Sequence, residues 1–195
     1  KKHRGVTLVT DIRDLWPESV ESVKAVRAKF LLNTAAKLAD WIYENSTKIS
    51  ATSQGIINGL PEYARKKATV ITNGAEPWSE PGKTEVDALK KKLALNNKFV
   101  VLYTGNVGLA QAPEIMIKAA KLLAHEPNIH LLIVGSGVHL HSLKKMAPKN
   151  VTFTGPLPHD QMAIYMACSD VCLIPYKAAD TFRNTLPSKL FDYMS

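Results

Sequence analysis

From Phe99 onward the chain passes four times through the same order: a short apolar run, a turn carrying glycine or proline, and a stretch with helical spacing. The apolar runs are Phe99–Tyr103, His130–Val134, Val151–Thr154 and Val171–Pro175. Runs of this length, β-branched and aromatic, read as strands buried on both faces. The helical stretches are Pro113–Ala124, one ending at Ala147, His159–Cys168, and one starting near Pro187. Strict alternation of this kind predicts a doubly wound parallel α/β sheet with right-handed crossovers. There is no internal repeat and no low-complexity segment.

The first of these strands ends in Thr104-Gly105-Asn106-Val107-Gly108 and leads to the helix at Pro113. A strand, a glycine turn and a helix present free backbone N–H groups, which suits a phosphate or another anion. An ordinary βα turn, where glycine only supplies an unusual backbone angle, fits the same residues. The next two strands end in Gly135-Ser136-Gly137 and in Gly155-Pro156-Leu157-Pro158.

The first 80 residues are less regular. Val6–Thr10 predicts a strand that runs into Asp11-Ile12-Arg13-Asp14-Leu15-Trp16-Pro17. Charged groups at the C-terminal end of a parallel strand are where α/β folds place ligands, and a salt-bridged turn anchored by Trp16 is the other reading. Lys24–Asn45 is mostly helical, with Leu31, Ala35, Leu38, Ala39, Ile42 and Tyr43 on one apolar face. Lys24, Arg27, Lys29 and Lys37 lie beside Phe30, Leu31 and Leu32, a surface that fits either an anionic membrane or a core helix with a solvated basic side. Lys48–Thr52 and Ala68–Thr72 read as short strands around a helix at Gln54–Leu60. Asn73-Gly74, Pro77, Pro81 and Gly82 mark the best linker, followed by a lysine-rich helix at Val86–Leu95.

With 195 residues, 46% of them hydrophobic, the chain can form one large or two small globular domains. No apolar run approaches the roughly 18–20 residues of a membrane span. The net charge of +8 fits an anionic partner or a solvated lysine-rich surface. Nucleic acid is a poor candidate, because the basic residues are scattered and no aromatic platform interleaves with them. Cys168 and Cys172 read as small core residues in a reducing, cytoplasmic setting. His139 and His141 point about 200° apart on a helix, so they cannot share a metal ion. Both ends look cut: the chain lacks an initiator methionine and stops within the helical pattern Leu190, Phe191, Tyr193, Met194.

Seven segments then fall into one order: 11–19, 71–76, 102–111, 133–137, 151–156, 169–175 and 186–194. The series resembles the family 4 retaining glycosyltransferases, in particular the bacterial surface-polysaccharide enzymes similar to the L-fucosamine transferases. The resemblance implies a GT-B type fold, two Rossmann-like lobes with parallel sheets, both truncated here. On that template residues 1–80 are the latter part of the acceptor domain and residues 81–195 the first part of the nucleotide-sugar donor domain. It implies retaining transfer from a nucleotide-sugar, expected to be a UDP-sugar, to a polysaccharide or lipid-linked saccharide. The expected setting is the cytoplasm, with peripheral contact on an anionic membrane, and no cofactor or metal is expected.

The same resemblance assigns residues. Gly105 and Gly108 match the glycine turn that faces the donor diphosphate, and Gly135 falls in the corresponding turn of the next strand. Asn106 and Gln111 stand where many members carry arginine and lysine, which leaves backbone N–H groups, Arg183 or Lys189 to supply the positive charge. Gly155 and Leu157 match the loop that contacts the base. Asp192 fits the second of two spaced glutamates and would hold ribose hydroxyls, whereas Asn184 stands at the first. Arg13 occupies the position of a histidine near the reaction centre; Asp14 would orient or deprotonate the acceptor, or else pair with Arg13. A nucleotide-sugar epimerase of the same architecture and a non-catalytic scaffold are the competing readings. The 195-residue chain by itself is expected to fold in part, to transfer no sugar, and to self-associate through open sheet edges.

Overall fold

The computed structural model describes residues 5–22, 26, 28–108, 110–178 and 185–195. Two compact units divide between Gly74 and Ala75, and the second comprises Ala75–Lys177 with Lys189–Ser195. Each unit is built on one sheet, and every strand pair in both sheets is parallel.

In the first unit three strands, β1 (Val9–Ile12), β2 (Lys48–Ala51) and β3 (Ala68–Val70), lie in sequence order. Strand β1 starts later than the apolar pattern predicts. Its register against β2, Val9 opposite Lys48 and Ile12 opposite Ala51, buries Ile12 and leaves Val6 and Leu8 exposed. Between the strands run α1 (Glu18–Ser22), α2 (Lys29–Asn45), α3 (Gln54–Gly59) and α4 (Glu62–Arg65). The Ser53 hydroxyl caps α3 by accepting the Ile56 N–H at 3.1 Å, a bond worth about 1 kcal/mol. The short α4, absent from the sequence expectation, follows Pro61 at its N-cap. Ile12, Tyr43, Ile49, Ile56, Ile57 and Leu60 form the core.

Helix α2 departs from expectation. It begins at Lys29, and Lys24 and Arg27 lie outside the described residues. Only Ala39, Ile42 and Tyr43 of the expected face pack on the core, while Leu31 and Leu38 are exposed together with Phe30 and Trp41. At about 100° per residue, Leu31 and Leu38 sit about 80–100° round the helix from Ala39, enough to miss the sheet.

The second unit holds β4 (Phe99–Thr104), β5 (Ile129–Val134), β6 (Val151–Gly155) and β7 (Val171–Cys172) in the order β6-β5-β4-β7. Side chains alternate across β4 and β5. Val100, Leu102, Leu132 and Val134 pack with Leu95 and Tyr165 on one face, and Tyr103, Leu131 and Ile133 with Met116, Ile117 and Leu143 on the other. The covering helices are α5 (Lys83–Lys92) and α8 (Met162–Ala167) on the first face, and α6 (Pro113–Leu122) and α7 (Leu140–Met146) on the second. A 3-10 turn at His159–Gln161 opens α8, and α9 (Ser188–Met194) closes the chain. Strand β7 has two residues where five are expected. Only Val171 and Cys172 pair with β4; Leu173 adds one bond to the Leu102 carbonyl at 2.7 Å, and Pro175 has no N–H to donate.

The chain leaves β4 towards β5 and β6, then returns to add β7 on the other side. That reversal creates a topological switch point at the C-terminal ends of β4 and β7, the usual ligand position in open α/β sheets. Residues 75–80 group with the second unit, where the Trp78 indole N–H donates to the Asp192 carbonyl at 2.8 Å and its ring packs on His159 at 4.7 Å between centroids. Cys168 is buried and Cys172 half-buried, and burial pushes both thiols above their ordinary range. Among the described residues no group of His, Cys, Asp or Glu is arranged to hold a metal, and no helix is long and apolar enough to cross a membrane.

Candidate functional site

Three strands of the second unit end in glycines that interlock. The Gly105 N–H donates to the Val134 carbonyl and the Gly135 N–H to the Gly155 carbonyl, both at 2.8 Å, so the ladder continues beyond the strands. Gly135 adopts φ +142°, and a Cβ there would fall on the Gly105 carbonyl group. A Cβ on Gly137, at φ +158°, would likewise meet the Val107 carbonyl. The Val107 N–H donates to the Ser136 carbonyl at 2.8 Å, and Val107 is fully buried. The two turns therefore pack backbone against backbone, which only glycine permits.

Beyond Gly105 the chain passes Asn106 and Gly108, turns through Ala112 in the left-handed region, and enters α6 at Pro113. The space a Cβ on Gly108 would fill is occupied by the side-chain amides of Asn106 and Gln111, at 2.8 Å and 2.9 Å. Neutral amides thus brace this loop from within. The Gln111 Oε1 atom is buried and accepts no hydrogen bond among the described residues.

Positive charge reaches the site from α9. The Lys189 ammonium donates to the Thr104 carbonyl at 3.0 Å and to the Tyr103 hydroxyl at 3.2 Å, and lies 4.3 Å from the centre of the Tyr103 ring. It is 3.2 Å from the position of a Gly105 Cβ. Burial pulls Lys189 down to about 8, because the low-dielectric surroundings disfavour the charged form. Tyr103 donates its hydroxyl to the Asn106 carbonyl at 2.6 Å, tying the ammonium to the glycine loop. The Tyr193 hydroxyl accepts the Thr104 N–H and bonds the Thr104 hydroxyl, both at 2.9 Å. Burial raises both phenols, so both stay protonated at neutral pH.

The candidates from sequence are distributed as follows. Gly105, Asn106, Gly108, Gly135 and Lys189 converge on the ends of β4 and β5. Gly155 ends β6 at φ +83°, with open space where a side chain would stand. Leu157, in the loop after β6, packs on the core beneath α5 and α8. Asp192 lies one turn along α9 from Lys189, and its carbonyl accepts from Trp78. Arg183 and Asn184 lie outside the described residues. In the first unit Arg13 directly follows β1, but its Nε donates to Asp11 Oδ2 at 3.0 Å, so Asp11 and not Asp14 is its partner. Asp11 also accepts from the Ser50 hydroxyl at 2.6 Å; Ser50 and then Arg13 hold its carboxyl below the usual range. Asp14 is exposed.

Sequence reasoning passed over Tyr103, Tyr193 and Trp78. The signal for Tyr193 is its spacing, four residues beyond Lys189 on one helix face. Tyr103 could have been noticed as a polar-tipped residue at the ligand end of a buried strand. For Trp78 there is no local signal. Trp78→Phe removes the bond to the Asp192 carbonyl and should cost about 1 kcal/mol, read from urea denaturation. An unchanged midpoint would show that this bond does not anchor α9.

Residues 98–195 match the glycosyl transferases group 1 family. WcaI of Escherichia coli (strain K12), named for glycosyl transfer in colanic acid biosynthesis, is 33% identical over 164 residues, 77% of this chain and 39% of its own length. Spore coat protein SA of Bacillus subtilis (strain 168) is 25% identical over 118 residues, 51% of this chain and 31% of its own. The chain therefore spans about a third to two-fifths of these relatives. Anabaena Alr3699/HepE, solved with UDP and glucose, superposes with a TM-score of 0.71 at 19% identity, covering 89% of this chain and 47% of that one. Sucrose-phosphate synthase (tll1590) from Thermosynechococcus elongatus gives 0.67 at 19% identity, over 90% of this chain and 46% of that one. The fold is the parallel α/β fold of GT-B glycosyltransferases, as the motif series implied.

Proposed function

We propose, because this chain belongs to the glycosyl transferases group 1 family, that it is part of an enzyme moving a sugar from a UDP-sugar to a lipid-linked or growing polysaccharide acceptor with retention of configuration. One observation carries the donor reading: the interlocked glycine turns at the switch point, with the Lys189 ammonium held against the Thr104 carbonyl. Neighbours of the same fold solved with UDP and glucose support the choice of nucleotide. The likeness to WcaI supports a polysaccharide product.

In this reading the first unit serves the acceptor and the second unit, which takes in residues 75–80, the donor. The donor diphosphate lies against the N–H groups of the Gly105–Gly108 turn and the start of α6, where the helix dipole favours negative charge. Lys189 supplies the formal charge that Asn106 and Gln111 do not, with Arg183 as a second source, and no metal is required. Gly155 and Leu157 flank the base, and Asp192 holds ribose hydroxyls. As the bond from the anomeric carbon to the diphosphate breaks, its electron pair stays with the phosphate oxygen, where the cation and N–H groups stabilise it. The acceptor oxygen bonds to the same face of the sugar, and its proton passes to Asp14. Arg13, paired with Asp11, borders the acceptor.

The protein acts at the cytoplasmic face of the membrane. The exposed Phe30, Leu31, Leu38 and Trp41 of α2, with Lys29 and Lys37 beside them, support peripheral contact of the first unit with a bilayer.

The deciding experiment gives the full-length protein a panel of UDP- and GDP-sugars and a lipid-linked acceptor, with the anomeric configuration of the product read by NMR. Retention with a UDP-sugar is expected. An inverted product, or conversion of free nucleotide-sugar without acceptor, would refute the reading. Asp192→Ala should weaken UDP binding by ~1–3 kcal/mol in calorimetry. Equal affinity for wild type and variant would end the ribose assignment.

A further inference from the structure

The edge of the second unit opposite the glycine turns has a composition that donor binding does not use. In a parallel doubly wound sheet every helix ends, and every strand begins, at that same edge. Here the last turns of three helices are basic: Lys90, Lys91 and Lys92 in α5, Lys121 in α6, and Lys144 and Lys145 in α7. Lys98 before β4 and Lys149 before β6 add two more. The loops that carry these last two flank the loop before β5 and border one cleft. Lys98 Nζ donates to the Pro127 carbonyl at 2.6 Å, and Lys98, Glu126, His130 and Lys149 border one open cleft of about 690 Å³.

Little opposes this charge. Among the described residues the acids at or near the edge are Glu126, beside His125 at 3.4 Å, Asp170, whose carboxylate accepts the Val100 N–H at 2.6 Å, and Asp87, one turn before Lys90 and Lys91 on α5. Lysines in a last helical turn also complement the helix dipole, which explains each of them singly. It does not explain Lys98 and Lys149, which lie outside helices, nor the large apolar side chains interleaved with the lysines. Leu122 is 76% exposed at the end of α6, and Met146 at the end of α7 and Phe99 at the start of β4 are exposed as well.

We infer that this basic edge of the second unit docks on an anionic phospholipid bilayer. Lysines interleaved with exposed leucine, methionine and phenylalanine suit a surface that offers anionic headgroups above hydrocarbon. A soluble polyanion, whether nucleic acid or acidic glycan, would answer the charge and leave the apolar groups in water. The inference stands apart from the contact proposed for α2 of the first unit, because it uses different residues on a different unit.

The test is sedimentation of the full-length protein with vesicles of phosphatidylglycerol and phosphatidylcholine, against phosphatidylcholine alone, in low and high salt. Wild type should pellet with anionic vesicles and be released by salt. The edge variant K98Q/K121Q/K145Q/K149Q removes four charges and should lose at least about a hundredfold in apparent affinity, and Leu122→Ser should lose affinity at unchanged charge. The variant K29Q/K37Q, on α2, should lose less than the edge variant. Amide exchange with and without vesicles supplies a reading that needs no variant: residues 121–126 and 146–150 should become protected. Three results would overturn the inference. One is no preference for anionic vesicles. Another is loss confined to K29Q/K37Q, which would leave the α2 contact standing alone. The third is retention on a dextran sulfate resin with no pelleting by vesicles.

Discussion

Gly135→Ala is expected to abolish UDP binding and to destabilise the second unit by about 3 kcal/mol. Two costs act together. At φ +142° an L-residue is strained, by roughly 1–3 kcal/mol. The new methyl group would also coincide with the Gly105 carbonyl, a backbone atom that cannot rotate aside. Relief requires the β4 turn to move away from the β5 turn, which breaks the bond from the Gly105 N–H to the Val134 carbonyl and displaces the N–H groups proposed for the diphosphate. Gly155→Ala is the control. It also has positive φ, but open space surrounds its Cβ, so it should show the strain cost without the collision. Urea denaturation on both variants makes the comparison, and UDP calorimetry reads the binding loss of Gly135→Ala. Equal losses for the two would mean that the close approach of the turns contributes nothing.

Lys189→Met should weaken UDP binding roughly tenfold to a hundredfold without loss of stability at neutral pH. The sign follows from the titration. Lys189 falls from an ordinary 10.5 to about 8 in the folded chain because its ammonium is buried. Between pH 8 and 10.5 the unfolded chain therefore holds more protons, and stability rises with pH across that window, by at most about 3 kcal/mol. Below pH 8 both states are protonated and the burial cost is present in full. Methionine keeps the aliphatic stem and removes the charge, so the rise with pH should vanish in the variant. A bound diphosphate restores a partner to the ammonium, and UDP affinity of the wild type should fall as pH passes 8. A pH-independent affinity, or a variant that binds UDP as tightly as wild type, would remove Lys189 from the donor site.

The course of the chain was legible in its residues. Short apolar runs that end in glycine, each followed by helical spacing, determined parallel strands at β4, β5 and β6 and glycine turns at their C-terminal ends, because periodicity and backbone freedom are local properties. Strand limits were less legible. Strand β1 slid towards its charged end and β7 shortened to two residues, since register depends on the partner strand as much as on the residues themselves.

The chemistry at the turns was decided by the tertiary structure. Lys189 is one lysine among many until α9 lays it against Tyr103 and Thr104, residues distant in the chain, and burial there changes its protonation. Arg13 pairs with Asp11 because the strand lets both side chains reach one side, where Ser50 of the neighbouring strand also bonds Asp11. Leu31 and Leu38 share a helix with the core residues of α2 yet face outward, because the position of the sheet selects which arc of the helix is covered. Local residue order thus determined the elements, the glycine turns and the Arg13–Asp11 pair, whereas the burial and charge state of Lys189 came from groups far apart in sequence brought within a few ångströms.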